Sequence, residues 1–469
     1  MSLKSSGMNL CWAVIAALIG VAGVFLFSGS HAGSAKFMSR AMGQPQLVAI
    51  SPLPEMDGEM CEWEPASFSP IALQEQERTA RAAAPARSEA EQGKQPEIET
   101  RKPVRTIHDP YAAYSSVAVD PIHNEVVLTD ENLFNILVYD RTANTPPTAK
   151  MTEPKRMIGG LNTKIEFQCG LYIDPVNGDI FAVNNDTVDR LVIFNRQAKG
   201  DVAPTREIHT PHGTFGIAVD EQAEELFLTI QHDSALVVYK KYAKNEDSPL
   251  RLLQGDRTKL ADPHGIAVDA KNKLMFVANH GAVHSVDANT KGASSNRRNG
   301  KANWPLERAF AVPGSGRNTP PAITVYAHDA TGDTPPLRVI SGPNTQMNWP
   351  SGLAVDSERG ELYVANDMGD SILVFDISAE GDVAPKRVLK GPATMIRNPT
   401  GVFLDAKNDE VWAANFGNHT ATVFKRTASG NTAPLRVIRS GPVKEPSLGI
   451  GNPHPIAYDS KREEILVPN

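Results

Sequence analysis

Polar and ionisable residues recur in this chain at nearly constant intervals. Asp130, Asn184, Asn279, Asn366, Asn415 and Asn469 each end a short apolar run, with Ile230 at the equivalent place in one unit. Asn185, His232, His280 and Asp367 follow one or two residues later. A second set stands near the start of the run that opens each unit: Ser116, Cys169, Phe215, His264, Ser351, Thr400 and His454. Carboxamide and carboxylate oxygens suit a hard cation such as Ca²⁺, for which Asn279, Asn366 and Asn415 are candidate ligands. The imidazoles of His264 and His454 suit Zn²⁺ instead. Both residue types also have a plainer use. An Asn or Asp at a strand end caps turn amides, and a His after Pro in a turn is held by hydrogen bonds. The residues lie about one unit apart, so only the fold can bring them together.

The segments that carry them read as strands. Residues 350–392 contain GLAVD, ELYVAN, SILVF and KRVL, four short runs rich in Val, Leu, Ile and Tyr and separated by turn residues. The first run closes on Asp120, Asp174, Asp220, Asp269, Asp356, Asp405 and Asp459, at intervals of 46 to 54 residues except for one of 87. Each Asp can accept hydrogen bonds from the amides of the next turn, a structural role. The fourth run repeats as APTREI, SPLRLL, PPLRVI, APKRVL and APLRVI. Four strands per unit and a period near fifty residues predict an all-β β-propeller of four-stranded blades. The long interval holds an insertion between Gly281 and Pro321. A fourth-strand equivalent at 102–107 precedes six full units, and two strands, PIAYD and EEILVPN, follow them. Seven blades are therefore expected, the N-terminal strand completing the last; closure on six is the alternative.

Propeller strands alternate in direction. The start of each first strand, the end of each second strand and the insertion therefore share one face. That face is the expected ligand-binding surface around the channel mouth: Asp130, Asn184, His232, Asn279, His280, Asn366, Asp367, Asn415, His264 and His454. The insertion is locally basic, and Arg297, Arg298, Lys301 and Trp304 are its candidate partner-binding residues.

Residues 1–35 read as a signal peptide or signal anchor, with an apolar run at 10–27 about as long as a minimal spanning helix. Both readings export the rest of the chain to the periplasm, the cell surface or the medium, tethered to the inner membrane if the run is retained. Residues 36–100 are rich in Ala, Glu, Gln, Arg and Pro and are expected to form a disordered linker. Residues 101–469 carry the repeats. A net charge of −7 disfavours nucleic acid as a partner. Cys11, Cys61 and Cys169 match no metal, haem or redox spacing. No GxSxG elbow, HExxH helix or phosphate loop occurs.

The units DPHGIAVDAKNKLMFVANHG and PTGVFLDAKNDEVWAANFGNHTATVF resemble NHL-repeat propellers and the related YVTN-type and gluconolactonase-like extracellular propellers. Asn415 to His419 followed by ATVF is similar to the GNxRI stretch of an NHL repeat. The resemblance spans roughly 101–469 and departs from NHL in its Asn-ended second strands and its insertion. It implies two catalytic precedents: a channel metal held by Glu, Asn and Asp that opens lactones, and a histidine-held zinc in a peptidyl-hydroxyglycine lyase. The Asn positions match the first in part, and His264 with His454 the second; no Glu stands at the second-strand ends. The expected function is an exported or membrane-tethered, non-catalytic propeller that binds a protein, peptide or glycan through its channel mouth. The alternatives are a lactonase or lyase using Ca or Zn, and a structural surface scaffold.

Overall fold

Each inner strand ends in an Asp whose carboxylate turns the chain. Asp120 accepts from the amides of Ile122 and His123 at 3.0 and 2.9 Å, and Asp220 from those of Gln222 and Ala223 at 2.9 and 3.0 Å. The turn returns the chain as a second strand, and a third and fourth complete an antiparallel blade. The computed structural model describes residues 109–185, 188–283, 317–443 and 445, with the backbone of two short strands, Ala457–Asp459 and Glu464–Leu466. The signal segment, the linker, the strand-like segment at 102–107, Asn469, His454 and the partner residues Arg297, Arg298, Lys301 and Trp304 lie outside the described residues. Among the described residues no helix is long and apolar enough to cross a membrane.

Six four-stranded sheets are present among the described residues. Their inner strands, in blades 1 to 6, are Tyr114–Asp120, Gln168–Ile173, Thr214–Asp220, Pro263–Asp269, Pro350–Asp356 and Pro399–Asp405. The blade count is thus six, and the expectation of seven is corrected. The physical reason is direct contact between the first and last blades. Thr400 Oγ1 donates to the Ser115 carbonyl at 2.7 Å, joining the inner strands of blades 6 and 1. At the outer edge, the Thr145 amide donates to the Val437 carbonyl at 2.7 Å, and the Arg439 guanidinium donates to the carbonyls of Pro146 and Ala149 at 2.7 and 2.8 Å. A seventh blade has no gap to enter. The strands at 457–459 and 464–466 pair with each other as a separate two-stranded sheet.

The apolar core has one cluster per junction between neighbouring blades. The blade 6–blade 1 cluster packs Trp412, Ala421 and Ile438 against Tyr114, Val126 and Leu137, like the other five. Each strand alternates its side chains between two neighbours, so both faces of every blade are buried. The repeated Arg of the fourth strand is also explained. Arg156, Arg251, Arg387 and Arg436 each make a two-pronged ion pair with a Glu that opens the second strand of the same blade: Glu125, Glu225, Glu361 and Glu410. Where Leu274 stands in place of that Glu, Arg338 donates to the Ile377 carbonyl of the next blade.

The connection between third and fourth strands leaves its own blade and lies along the outer strand of the preceding one. Gly200, Gly332, Gly381 and Gly430 form parallel bridges with Ile158, Leu253, Ile340 and Leu389. The following residue then reaches the short 3₁₀ turn on the way to the next inner strand: Asp201 accepts from the Asn162 amide at 2.7 Å and Asp382 from that of Asn344 at 2.7 Å. The GDVAP segments therefore tie blades together and support the loops that lead to the channel mouth.

Candidate functional site

The site is set by two local devices. First, inner strands are bulged near their start, as at Gln168/Gly170 and Pro263/Ile266, which re-aims the side chains there. Second, each second strand ends on a residue that holds the incoming loop. Asn184 Oδ1 accepts from the Glu166 amide at 2.9 Å, Asn279 Oδ1 from Ala261 at 2.9 Å, Asn366 Oδ1 from Asn348 at 2.6 Å, and Asn415 Oδ1 from Arg397 at 3.4 Å. Their amide nitrogens donate to nearby carbonyls and hydroxyls, such as Lys164 O for Asn184, Thr324 Oγ1 for Asn279, Ser371 Oγ for Asn366 and Thr422 Oγ1 for Asn415. Asp130 does the same in blade 1, accepting from the amides of Ala113, Asn132 and Leu133, while burial pushes its carboxyl up to about 7. Ile230 replaces this polar cap with an apolar contact inside the blade 2–blade 3 cluster.

The ring that faces the mouth is the next residue along: Glu131, Asn185, Gln231, His280, Asp367 and Phe416. Each donates its amide to the residue just before the inner strand of its own blade, namely Ala113, Phe167, Gly213, Asp262, Trp349 and Asn398. Four side chains of the ring lean toward the next blade. Glu131 Oε1 lies 3.6 Å from Cys169 Sγ of blade 2. Asn185 Nδ2 donates to Thr214 O at 3.0 Å and to the ring residue Gln231 at 3.4 Å, both in blade 3. The His280 ring lies 4.9 Å from that of Trp349 in blade 5, and Asp367 accepts from Asn398 Nδ2 of blade 6 at 3.2 Å.

Two carboxyls here are strongly shifted. Burial pushes Glu131 up to about 8, against hydrogen bonds from Cys169 and Ser115 and helped by the charges of Asp130 and Asp367. Burial pushes Asp367 up to about 6. At neutral pH Glu131 is therefore largely protonated and able to donate. On blade 4, burial lowers the His264 pKa and lowers that of His280 well below the ordinary imidazole range, with His264 adding to the second effect. These two rings stack with centroids 3.3 Å apart and planes 18° apart. Phe215 also packs on His264, with ring centroids 4.1 Å apart and planes 58° apart. Trp349, at the other end of this aromatic row, is 51% exposed and holds a left-handed backbone with φ 54°. A bulky residue in that region is strained, which marks a place where the surroundings dictate the backbone.

The structure thus brings together His264, His280 and, nearby on the ring, Asp367. Asn184, Asn279, Asn366 and Asn415 stand beneath the ring with their carboxamides hydrogen-bonded, and Asp130 is engaged there through Oδ1. His232 stacks instead on the exposed His212, with centroids 5.0 Å apart. Glu131, Gln231, Asp262 and Trp349 were not singled out by sequence. Glu131 and Gln231 directly follow the aligned Asp130 and Ile230, so a shift of one residue finds them; Asp262 and Trp349 lie in the loops just before the PHG and PSG that open their strands.

The resemblance implies a metal held by Glu, Asn and Asp. The ring offers those types in Glu131, Asn185 and Asp367. A group of three ionisable ligands with atoms within 4.8 Å of one another is formed by Asp262, His264 and His280 among the described residues. The ligand set brought together is nitrogen-rich, unlike the one implied.

The gluconolactonase-type model described as "SMP-30/Gluconolactonase/LRE-like region" matches residues 171–434. Among solved structures, Kuenenia stuttgartiensis hydrazine synthase is similar at 13% identity, over 70% of this chain and 99% of that one, with a TM-score of 0.43. A nidogen/laminin complex is similar at 16% identity, over 70% and 92%, with the same TM-score of 0.43. No curated protein matches in sequence. The family match covers more than half of the chain, from the inner strand of blade 2 into blade 6, and the chain belongs to the SMP-30/gluconolactonase/LRE-like family.

Proposed function

We propose that the channel mouth binds a neutral, polyhydroxylated ligand: a sugar, the end of a glycan, or a sugar lactone. The observation that carries this reading is the half-exposed Trp349 ring, packed against His280 on the same rim as the carboxamides of Asn185 and Gln231 and the protonated Glu131. An aromatic face accepts the apolar C–H face of a sugar ring. Neutral amide and carboxyl groups both give and receive hydrogen bonds, as hydroxyls require. The insertion is rooted beside this rim, where Ala282–Val283 pairs with Arg317–Asn318 directly after His280 and Gly281. It is the natural place for a larger partner to add contacts. The apolar run at 10–27 supports placing this propeller outside the cytoplasmic membrane; recovery of the mature chain in the cytosolic fraction would overturn that placement.

The test is a titration of the full chain with neutral sugars and sugar lactones, followed by tryptophan fluorescence and calorimetry. Saturable binding weakened at least tenfold by Trp349→Ala and by Asn185→Ala supports the reading. Binding unaffected by either change, or none to any ligand of this class, removes it. A hydrolytic reading is favoured by the raised carboxyls Glu131 and Asp367, since perturbed acids gather where chemistry is done. It predicts lactone ring opening that is lost in Glu131→Gln while binding persists.

A further inference from the structure

We propose that Asp262, His264 and His280 form a binding site for a divalent transition-metal ion, zinc or copper(II) by ligand type, on the blade 4 wall of the channel mouth. One ligand atom from each residue lies within 4.8 Å of the other two. His264 Nδ1 lies 2.9 Å from the Asp262 carbonyl oxygen, to which it donates, so its lone pair is on Nε2. This hydrogen bond fixes tautomer and ring position, as supporting contacts do for metal-ligating histidines. His280 Nε2 is buried and makes no hydrogen bond, an orphaned acceptor or donor that a bound ion would explain. The His280 and His264 side chains are 7% and 6% exposed, and burial keeps both rings in the neutral, ligating form. Asp262 adds a carboxylate whose two oxygens lie 3.7 Å from His264 Nδ1 and 4.0 Å from His280 Nδ1.

Two imidazoles and one carboxylate favour a borderline ion over calcium, which takes oxygen ligands. Three protein ligands leave a fourth position for water or a ligand hydroxyl, the pattern of open rather than closed sites. The rings are now stacked nearly parallel, and a nitrogen lone pair lies in its ring plane, so both cannot aim at one ion as they stand. Ligation at bond lengths of about 2.0–2.1 Å requires one ring to swing from the stack. His264 is held by Asp262, so His280 is the ring that turns, and Trp349 loses the surface it packs on. Metal binding and the exposure of Trp349 are thereby linked.

The experiment uses the full chain, stripped by chelator and without sugar, titrated with Zn²⁺ and Cu²⁺. One equivalent is expected. His280→Ala and His264→Gln should each weaken affinity at least tenfold, with unchanged circular dichroism. Cu²⁺ should quench tryptophan fluorescence in the unaltered chain. Trp349→Phe should bind one equivalent without that quenching. Electron paramagnetic resonance of the copper complex needs no variant and should show coupling to two imidazole nitrogens. The proposal is overturned by a failure to bind one equivalent, by binding that both histidine changes leave intact, or by a copper signal without two-nitrogen coupling. The sugar titration is a separate measurement, so either reading can fail alone.

Discussion

Glu131 carries a pH dependence with a definite sign. Its carboxyl titrates near 8 in the folded chain and near its ordinary 4.5 when unfolded, because burial disfavours the anion. The folded state therefore holds a proton that the unfolded state has lost, and stability falls as pH rises from about 4.5 to 8. Glu131→Gln should remove that part of the slope, so its melting temperature gains on the parent as pH rises through this window; parallel curves would refute it. Asn279 makes the opposite kind of prediction. Its carboxamide serves the Ala261 amide, Val277 O and Thr324 Oγ1. Asn279→Ala should cost about 1–3 kcal/mol in urea unfolding by leaving buried groups unpaired. The repeating Asn was visible in the sequence, and its capping use is what the hydrogen bonds describe. The direction of its neighbour was not visible. Adjacent strand residues point to opposite sides, so an alignment one residue early selects the caps and overlooks Glu131. Asp262 was missed for a different reason: it lies in a loop, where no strand period reports its direction.

At the scale of the elements, the glycine of the GIAVD pattern is a packing requirement. A Cβ at Gly265 would fall on the Ser351 carbonyl oxygen of the next inner strand, and one at Gly401 would come within 2.8 Å of Ser116 Cα. Gly265→Ala should destabilise by about 1–3 kcal/mol through overpacking, read from the denaturation midpoint. The inner strands were legible because apolar alternation and the closing Asp recur together. Their bulges were not, since pairing two residues against one leaves no compositional mark. The fourth-strand Arg was likewise visible as a repeat without a reason until its Glu partner was seen at the start of the second strand. In blade 5, the hydrogen bond from Arg387 outweighs burial and, with Tyr363 and Lys386, holds Glu361 at about 2 against an ordinary 4.5. That contribution is present above about pH 4.5 and lost as pH falls toward 2. Arg387→Met should lower stability at neutral pH by about 1–3 kcal/mol, because Glu361 keeps Arg426. It should also flatten the acid limb of the stability curve; an unchanged acid limb would contradict the assignment.

For the whole molecule, the propeller was readable from the repeat and the number of blades was not. The sequence contains seven Asp-ended first strands, and six of them open four-stranded blades among the described residues. Closure depends on blade 6 meeting blade 1, and contacts such as Thr400 to Ser115 join residues 285 positions apart. A chain ended after Val443 should therefore keep a cooperative melt and native near-ultraviolet dichroism. Loss of cooperativity would mean that later residues are needed for closure. The outer edges have a further consequence. In all six blades an amide of the neighbouring third-to-fourth connection donates to an outer-strand carbonyl at 2.7 Å: Gly200 to Met157, Asn245 to Glu207, Gly332 to Leu252, Gly381 to Val339, Gly430 to Val388 and Thr145 to Val437. An outer strand is ordinarily where a sheet recruits other chains. Here each rim strand is already occupied by its neighbour, so an aggregation-prone edge appears only when two blades part. Deuterium uptake at the rim then reports the separation of blades rather than the fraying of single strands.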